Sequence, residues 1–513
     1  MRRVLIANRG EIALRVLRAC RELGLSPVVV HSDADGTSLP VRLADAAVAI
    51  GPAPAASSYL NISAILEAAR ATGADAVHPG YGFLAENAGF AEAVRQAGMV
   101  FIGPPPEAMR LLGDKIEARR LMGKHGVPVI PGQTERAPDE RAISGFGRAT
   151  GYPIILKAVA GGGGKGMRVV RSEEGVAEAV RAARSEAMTS FGDDGIYAEK
   201  FLEGVRHVEI QILADRHGHM VHLGERECSL QRRHQKLIEE SPSTALDAEG
   251  RRRLGEMAIE VARVSGYENA GTVEFLVDAR GNPYFMEVNA RLQVEHPVTE
   301  MVTGVDLVRA QITIARGDRL VLRQEQLRPR GWALECRVLA EDPTASFLPS
   351  PGRVVAMRLP AGPGVRVDTA LQQGDVVSPH YDALLAKLCT WGGSRDQAID
   401  RMLCALDEFL IAGPRTTLPF HSMVLRDEAF RSGRIDIGYV DRMLPGLVAS
   451  LRVIGEEAEI AAIAAAITAI QARTPDGRGR PVPDTSAWSL GGRRRQMDSR
   501  IPDRGPRCAT WRR

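Results

Sequence analysis

The feature that most limits the fold of this 513-residue chain is an alternation of short apolar and amphipathic stretches over about its first hundred residues. Val4–Ala7, Pro27–His31, Ala74–His78 and Met99–Ile102 read as strands. Glu11–Leu23, a stretch near Ile62–Ala71 and Phe90–Ala97 read as helices between them. In the first helix Ile12, Val16, Cys20 and Leu23 form one stripe, and Gly24 is a stop signal. Strands that alternate with helices predict a parallel, doubly wound sheet. Such sheets bind ligands at the carboxyl ends of their strands. His78-Pro79-Gly80-Tyr81-Gly82 falls at one such end.

Gly103-Pro104-Pro105-Pro106 is a natural boundary. A helical linker over Glu107–His125 follows, carrying Asp114 and Lys115, and a second unit starts near Pro131. There Pro153–Ala158 reads as a strand, Gly161–Gly166 as a flexible tip, and Met167–Arg171 as the return strand. A helix over Val176–Ala187 and a strand over Ile196–Phe201 complete that unit. From about Leu202 a larger α+β unit runs to about Leu447 and includes the strand His207–Leu213. Beyond it, Ile460, Ile463, Ile467 and Ile470 make a narrow seam on an Ala-rich helix. After Arg473 the chain is rich in Arg, Gly and Pro and reads as disordered.

Charge is unevenly placed. Ser450–Arg513 holds 12 Arg and 7 acidic residues, a net of +5, so the chain's +3 leaves about −2 on the rest. A slightly acidic body gives no electrostatic case for a nucleic-acid partner. No run of about 18 apolar residues predicts a membrane span, and Arg9 and Glu11 interrupt any signal-peptide core. Cys20, Cys228, Cys336, Cys389, Cys404 and Cys508 are scattered without a CxxC pair, which fits reduced thiols in a cytoplasmic protein.

The densest chemistry lies in Gly271–Glu300. Val273–Val277 and Tyr284–Val288 read as a hairpin around the turn Asp278–Pro283. Such a pair brings Glu274 and Glu287 onto one face, with Asn289, Arg291, Glu295 and His296 just beyond. Two carboxylates and an amide suit a hard cation carrying nucleotide phosphates. An arginine and a further glutamate suit the holding and deprotonation of a small oxyanion. The glycine run Gly161–Gly166 meets neither the Walker pattern GxxxxGK[ST] nor the dinucleotide fingerprint, because a strand follows it. It reads either as a flexible linker or as a hairpin lid over phosphates, and Lys157 and Lys165 favour the lid. Lys115, His207, Gln231, His234 and Lys236 are each weak signals alone. Arg232–Lys236 reads equally as a basic surface patch, although it lacks interleaved aromatics.

Together these segments resemble biotin carboxylase of the ATP-grasp superfamily, over Met1 to about Leu447. The resemblance is carried by IANRGEIALRVLRAC, HPGYGFLAEN, GDK at 113–115, GGGGKGMRVV, EKFLEGVRHVEIQ, ERECSLQRRHQK, NARLQVEHPVTEM, ECRVLAEDP and FLPSPG. It implies an N-terminal doubly wound domain over 1–113 and an ATP-grasp region over 114–330 with its lid at about 131–203. A C-terminal α+β domain over 331–447 and a tail over 448–513 follow. It implies ATP between lid and body, with Lys115 and Lys157 on phosphates, Gly163 and Gly164 covering them, and Glu199, Lys200, Phe201 and Leu202 on adenine. His207, Gln231 and His234 line the nucleotide site, and Glu274, Glu287 and Asn289 hold Mg²⁺ or Mn²⁺. Bicarbonate is held by Lys236, Arg291 and the backbone at Gln293 and Val294. Glu295 is the general base, and Arg337 stabilises the biotin enolate. The implied partners are a separate biotin carboxyl carrier protein, carboxyltransferase subunits and a second copy of the chain in a homodimer.

Two positions depart from commoner members. Lys165 stands where Arg is frequent, and Pro363 replaces an aromatic of a bacterial member's dimer contact. No Met-Lys-Met biotin attachment site occurs, so the carrier is expected on another polypeptide. TSAWSLGGRR resembles the junction at which longer acyl-CoA carboxylase α subunits continue. Competing readings are another bicarbonate-using ATP-grasp ligase, of the carbamoyl-phosphate type, and a catalytically silent assembly subunit. The acyl-CoA used by the holoenzyme is not readable from this chain.

Overall fold

The computed structural model describes residues 1–133, 138–159, 167–446 and 448–450. Residues Met1–Leu451 form one compact unit. The glycine run Gly161–Gly166, expected as a lid tip with Gly163 and Gly164, lies outside the described residues, as does the tail with its expected isoleucine seam.

Period-two burial of short apolar strands builds the first layer. Val4 and Ile6 enter one hydrophobic cluster, and Leu5 and Ala7 enter another on the opposite face. Both faces are therefore covered, as an all-parallel sheet requires. The sheet has five parallel strands in the order Ala46–Ala49, Ser26–His31, Arg3–Ile6, Ala76–His78, Val100–Phe101. This is the expected doubly wound sheet. The Ala46–Ala49 strand escapes the sequence reading because AAVA lacks a strong β signal. After Ala76–His78 the chain turns at Gly80, with φ +64°. A Cβ there would sit 2.9 Å from Asn8 Nδ2, which donates to the carbonyls of Pro79 and Tyr81 at 2.8 and 2.7 Å. Only glycine combines that conformation with that approach.

The expected single linker helix is two helices, Pro106–Gly113 and Lys115–Lys124. Asp114 breaks it by capping the second: its carboxylate accepts from the amides of Ile116 and Glu117, each at 3.1 Å. That break sets Lys115 at a helix start facing the larger unit. A small antiparallel sheet follows, in the order Arg168–Val170, Ile154–Ala158, Ile196–Lys200. Its helix, Val176–Phe191, runs four residues beyond the expected end and stops at Gly192 in the left-handed region.

The site is organised by an eight-stranded antiparallel sheet. Its order is Pro283–Asn289, Asn269–Val277, Arg206–Ala214, Met220–Arg232, Gln235–Ser241, Trp332–Leu339, Leu384–Gly392, Val365–Asp368. Among the described residues no helix is long and apolar enough to cross a membrane.

Candidate active site

The hairpin forms as expected, and its register sets Glu274 opposite Glu287. Glu274 is also opposite Glu209, and Glu209 opposite Arg226. Directly opposed residues share a face, so four charged residues cross four strands in one row. Period two along HVEIQ adds His207 and Gln211 beside Glu209, while Val208, Ile210 and Ile212 face the core.

One cavity of about 250 Å³ gathers most of the residues singled out in the sequence. Lys115, Lys157, Glu199, Lys200, Phe201, Leu202, His207, Gln231, His234, Lys236, Glu274, Glu287, Asn289, Arg291 and Gln293 all line it. Val294, Glu295 and Arg337 are not in that lining; they form the layer behind it. A separate hollow of about 380 Å³, between Arg9, Asp35, Arg353 and Tyr381, contains none of these residues.

The basic segment is only partly a surface patch: Arg233 and His234 are exposed, whereas Lys236 is largely enclosed. Arg233 and His234 have φ of +47° and +65°, so the chain reverses there in a conformation that non-glycine residues rarely adopt. The reversal sends Arg232 over the Phe347 ring at 4.5 Å and turns His234 and Lys236 into the cavity. Lys236 Nζ donates to Glu209 at 2.6 Å, Glu274 at 3.0 Å and Glu295 at 2.6 Å. Burial opposes its charge, but the carboxylates outweigh burial and hold it well above the ordinary lysine range.

Glu295 is fully buried. Its second oxygen accepts from Arg337 Nη2 at 2.9 Å. Burial pushes its pKa up, yet Lys236, Arg337 and Arg226 overcome that and hold it below the ordinary value. Arg337 also donates through Nε to Glu239 at 2.6 Å. Burial raises Glu239 to about 7 in spite of Arg337, and burial together with Glu239 raises Glu335 well above its ordinary range.

Glu274 accepts from Gln293 at 3.1 Å and faces His207 Nε2 at 3.1 Å. Burial favours its neutral form, but Lys236 and His207 hold it well below the usual carboxylate range. Glu287 is more open and pairs with Lys115 at 3.3 Å. Asn289 Oδ1 accepts from Arg291 Nη2 at 2.9 Å, while Arg291 Nε binds Glu86 at 2.9 Å. Lys157 pairs with Glu199 at 2.5 Å, and Arg119 reaches the same carboxylate at 3.0 Å. The amides of Lys200 and Phe201 donate to the carbonyls of Pro131 and Pro153, which leaves Leu202 just past the strand end.

Acid and histidine groupings close enough to share a cation are His207–Glu209–Glu274 and Glu209–Cys228–Glu295, among the described residues. Neither contains Glu287. Sequence reasoning passed over Glu209, Arg226, Glu239 and Lys387. The polar face of HVEIQ was a usable signal for Glu209. Arg226, Glu239 and Lys387 sit in strands whose pairing no local pattern reveals.

Residues 1–109 match "Biotin carboxylase, N-terminal domain" and 335–442 "Biotin carboxylase C-terminal domain". Between them, 114–323 match "Carbamoyl-phosphate synthase L chain, ATP binding domain". The chain is 52% identical over 445 residues to biotin carboxylase of Haemophilus influenzae, covering 86% of this chain and 99% of that protein. It is 46% identical over 497 residues to the human mitochondrial propionyl-CoA carboxylase alpha chain, covering 95% of this chain and 68% of that one. Among solved structures, the biotin carboxylase domain dimer of Hydrogenobacter thermophilus 2-oxoglutarate carboxylase, in complex with MgADP, ADP and bicarbonate, superposes with a TM-score of 0.85. That likeness is at 44% identity and covers 87% of this chain and 98% of that one. Campylobacter jejuni biotin carboxylase superposes with a TM-score of 0.84 at 47% identity, covering 86% and 98%. With its three matched regions in order and half of its aligned residues identical to a relative covered over nearly its whole length, the chain belongs to the biotin carboxylase family and has its ATP-grasp fold.

Proposed function

We propose that this protein is the ATP-dependent ligase that carboxylates biotin with bicarbonate, the first half-reaction of an acyl-CoA carboxylase. The observation that carries the reading is the cation-rich cavity joined, through Lys236 and Glu295, to the partly enclosed guanidinium of Arg337. In this reading Lys115 and Lys157 contact the phosphates of ATP, with Gly163 and Gly164 over them. Glu199–Leu202 hold adenine, and His207, Gln231 and His234 shape the pocket. Glu274, Glu287 and Asn289 offer the oxygen donors that Mg²⁺ or Mn²⁺ prefers, and the bound ion neutralises phosphate charge.

Lys236, Arg291 and the Gln293–Val294 backbone then hold bicarbonate. Glu295 is ionised, as a general base must be, but its low pKa makes it a weak one. All three Lys236 donors are engaged by carboxylates. An anion that takes one of them withdraws a cation from Glu295 and raises its basicity when the substrate arrives. Arg337 stays charged throughout and is aimed by Glu239 and Glu295, which suits stabilisation of negative charge developing on the biotin ureido group.

In this reading the biotin is presented by a separate biotin carboxyl carrier protein. A carboxyltransferase subunit completes the cycle. We set the domain limits at 1–113, 114–330, 331–447 and 448–513, in keeping with the three matched regions. A homodimer is supported by the dimeric relative. In this chain Pro363 is exposed in the turn before Val365–Asp368, so that contact differs in detail. The match to the human alpha chain covers 95% of the chain and so continues past Leu451, which supports a partner-contact role for the tail. The buried, unpaired cysteines support a reducing, cytoplasmic setting.

The test is ATP cleavage by the purified chain with bicarbonate, then with free biotin or with ammonia. Bicarbonate-dependent cleavage that free biotin stimulates is expected. Stimulation by ammonia and not by biotin overturns the reading in favour of a carbamoyl-phosphate type, and no cleavage favours a silent subunit.

A further inference from the structure

Lys387 is a fully buried lysine in the middle of the strand Leu384–Gly392. Fully buried lysines are rare and need partners for all three donors. Lys387 has Glu11 Oε1 at 3.0 Å and the carbonyl of Val294 at 3.1 Å within hydrogen-bond distance, and Asp368 Oδ2 at 3.6 Å as a further ion pair. Glu11 and Asp368 are anions that cannot drift. Glu11, in the first turn of the helix Gly10–Glu22, is hydrogen-bonded by the Tyr81 hydroxyl. Asp368 is gripped by both ends of the Arg366 guanidinium, at 2.8 and 2.7 Å. The register places Arg337, Lys387 and Asp368 directly opposite one another on three adjacent strands, so Lys387 stands beside Arg337 on the same face.

The carbonyl partner is the informative one. The Val294 carbonyl belongs to the peptide that joins Val294 to Glu295, immediately before the helix His296–Thr303 begins. A cation that served only to neutralise Glu11 and Asp368 would not need it. We propose that Lys387 is a positioning residue for the bicarbonate step, using two fixed anions to hold the Val294–Glu295 peptide and so the backbone that carries the base. The proposal rests on the bicarbonate reading above. It makes the N-terminal domain, through Glu11 and Tyr81, a structural part of the bicarbonate pocket without contact to the substrate.

The test is the double substitution Glu11→Gln with Lys387→Met, which removes the lysine without leaving Glu11 as an unpaired buried charge. The expected result is a folded protein whose KM for bicarbonate rises about tenfold, as loss of a charged hydrogen bond implies, while its KM for ATP stays within about twofold. A purely structural role predicts a lower melting temperature with both constants moved together or not at all. Either pattern overturns the proposal. If the double variant does not fold, Glu11→Gln alone decides. It leaves Lys387 one anchor short, and its bicarbonate KM should rise by roughly two- to fivefold. An unchanged value there overturns the proposal. Absence of bicarbonate-dependent cleavage in the parent protein would instead sink the functional reading.

Discussion

The two sides of the cavity hold their charges differently. On the inner side Glu209, Arg226, Glu239, Glu295 and Lys387 are all fully buried, and most of them have two or more ionic partners. On the outer side Lys115 and Glu287 keep 20% and 30% of their side chains exposed and share one contact at 3.3 Å. A buried charge that loses its partner is costly, whereas a half-exposed pair is worth little. The outer pair can therefore exchange partners for a phosphate or a cation at small cost, whereas an inner group can do so only when a replacement charge arrives. The outer side of the site is built to re-pair, and the inner side is largely built in advance.

The largest expected effect breaks the inner side chemically. Glu295→Gln should leave ATP binding nearly intact while bicarbonate-dependent ATP cleavage falls about 10²–10⁴-fold, the usual scale for a general base. Turnover close to the parent's would remove the base assignment.

Stability sharpens the contrast next. Lys236→Met removes one cation from each of Glu209, Glu274 and Glu295 in a largely enclosed site. It should cost about 3–5 kcal/mol in denaturant unfolding. Lys115→Met, on the outer side, should cost under about 1 kcal/mol and act mainly by raising the KM for ATP. Equal losses in the two variants would erase the distinction.

Glu287→Gln should weaken use of the metal–nucleotide several-fold, about the scale of one lost charge-assisted contact, with partial recovery in excess Mg²⁺. A metal dependence identical to the parent's would count against the metal role.

The smallest effect is a pH dependence. Glu274 and Glu295 are held below the ordinary 4.5, so their stabilisation is present above that pH and is lost as the pH falls through their lowered values. Glu239 behaves oppositely. With its pKa raised from 4.5 to about 7, the folded state holds a proton that the unfolded state has released. Its contribution therefore declines as the pH rises from 4.5 to 7 and is level above that. The melting temperature of the parent minus that of Glu239→Gln should fall between pH 5 and 7. A constant difference would show that Glu239 does not titrate there.

Much of the fold was readable. The parallel sheet follows from alternating strands and helices, and the Glu274–Glu287 hairpin from β-branched runs around Asp278–Pro283. The linker break at Asp114 was readable in principle, since an acidic cap before a helix is a local signal. Local pattern left Arg232–Lys236 open, because one reversal with positive φ separates a ring-stacked arginine from a largely enclosed lysine.

Residue types and short spacings alone determined that this chain has a doubly wound N-terminal sheet, a hairpin bearing Glu274 and Glu287, and the Arg291–Glu295 segment after it. Those properties depend on a few neighbouring residues, whose periodicity and turn chemistry act over one or two elements. Which charges face one another was decided only by the tertiary structure. Lys236 meets Glu295 across 59 positions, and Lys387 meets Glu11 across 376. Such pairs depend on strand order and register in the eight-stranded sheet, set by how whole faces bury together, and no local pattern carries them.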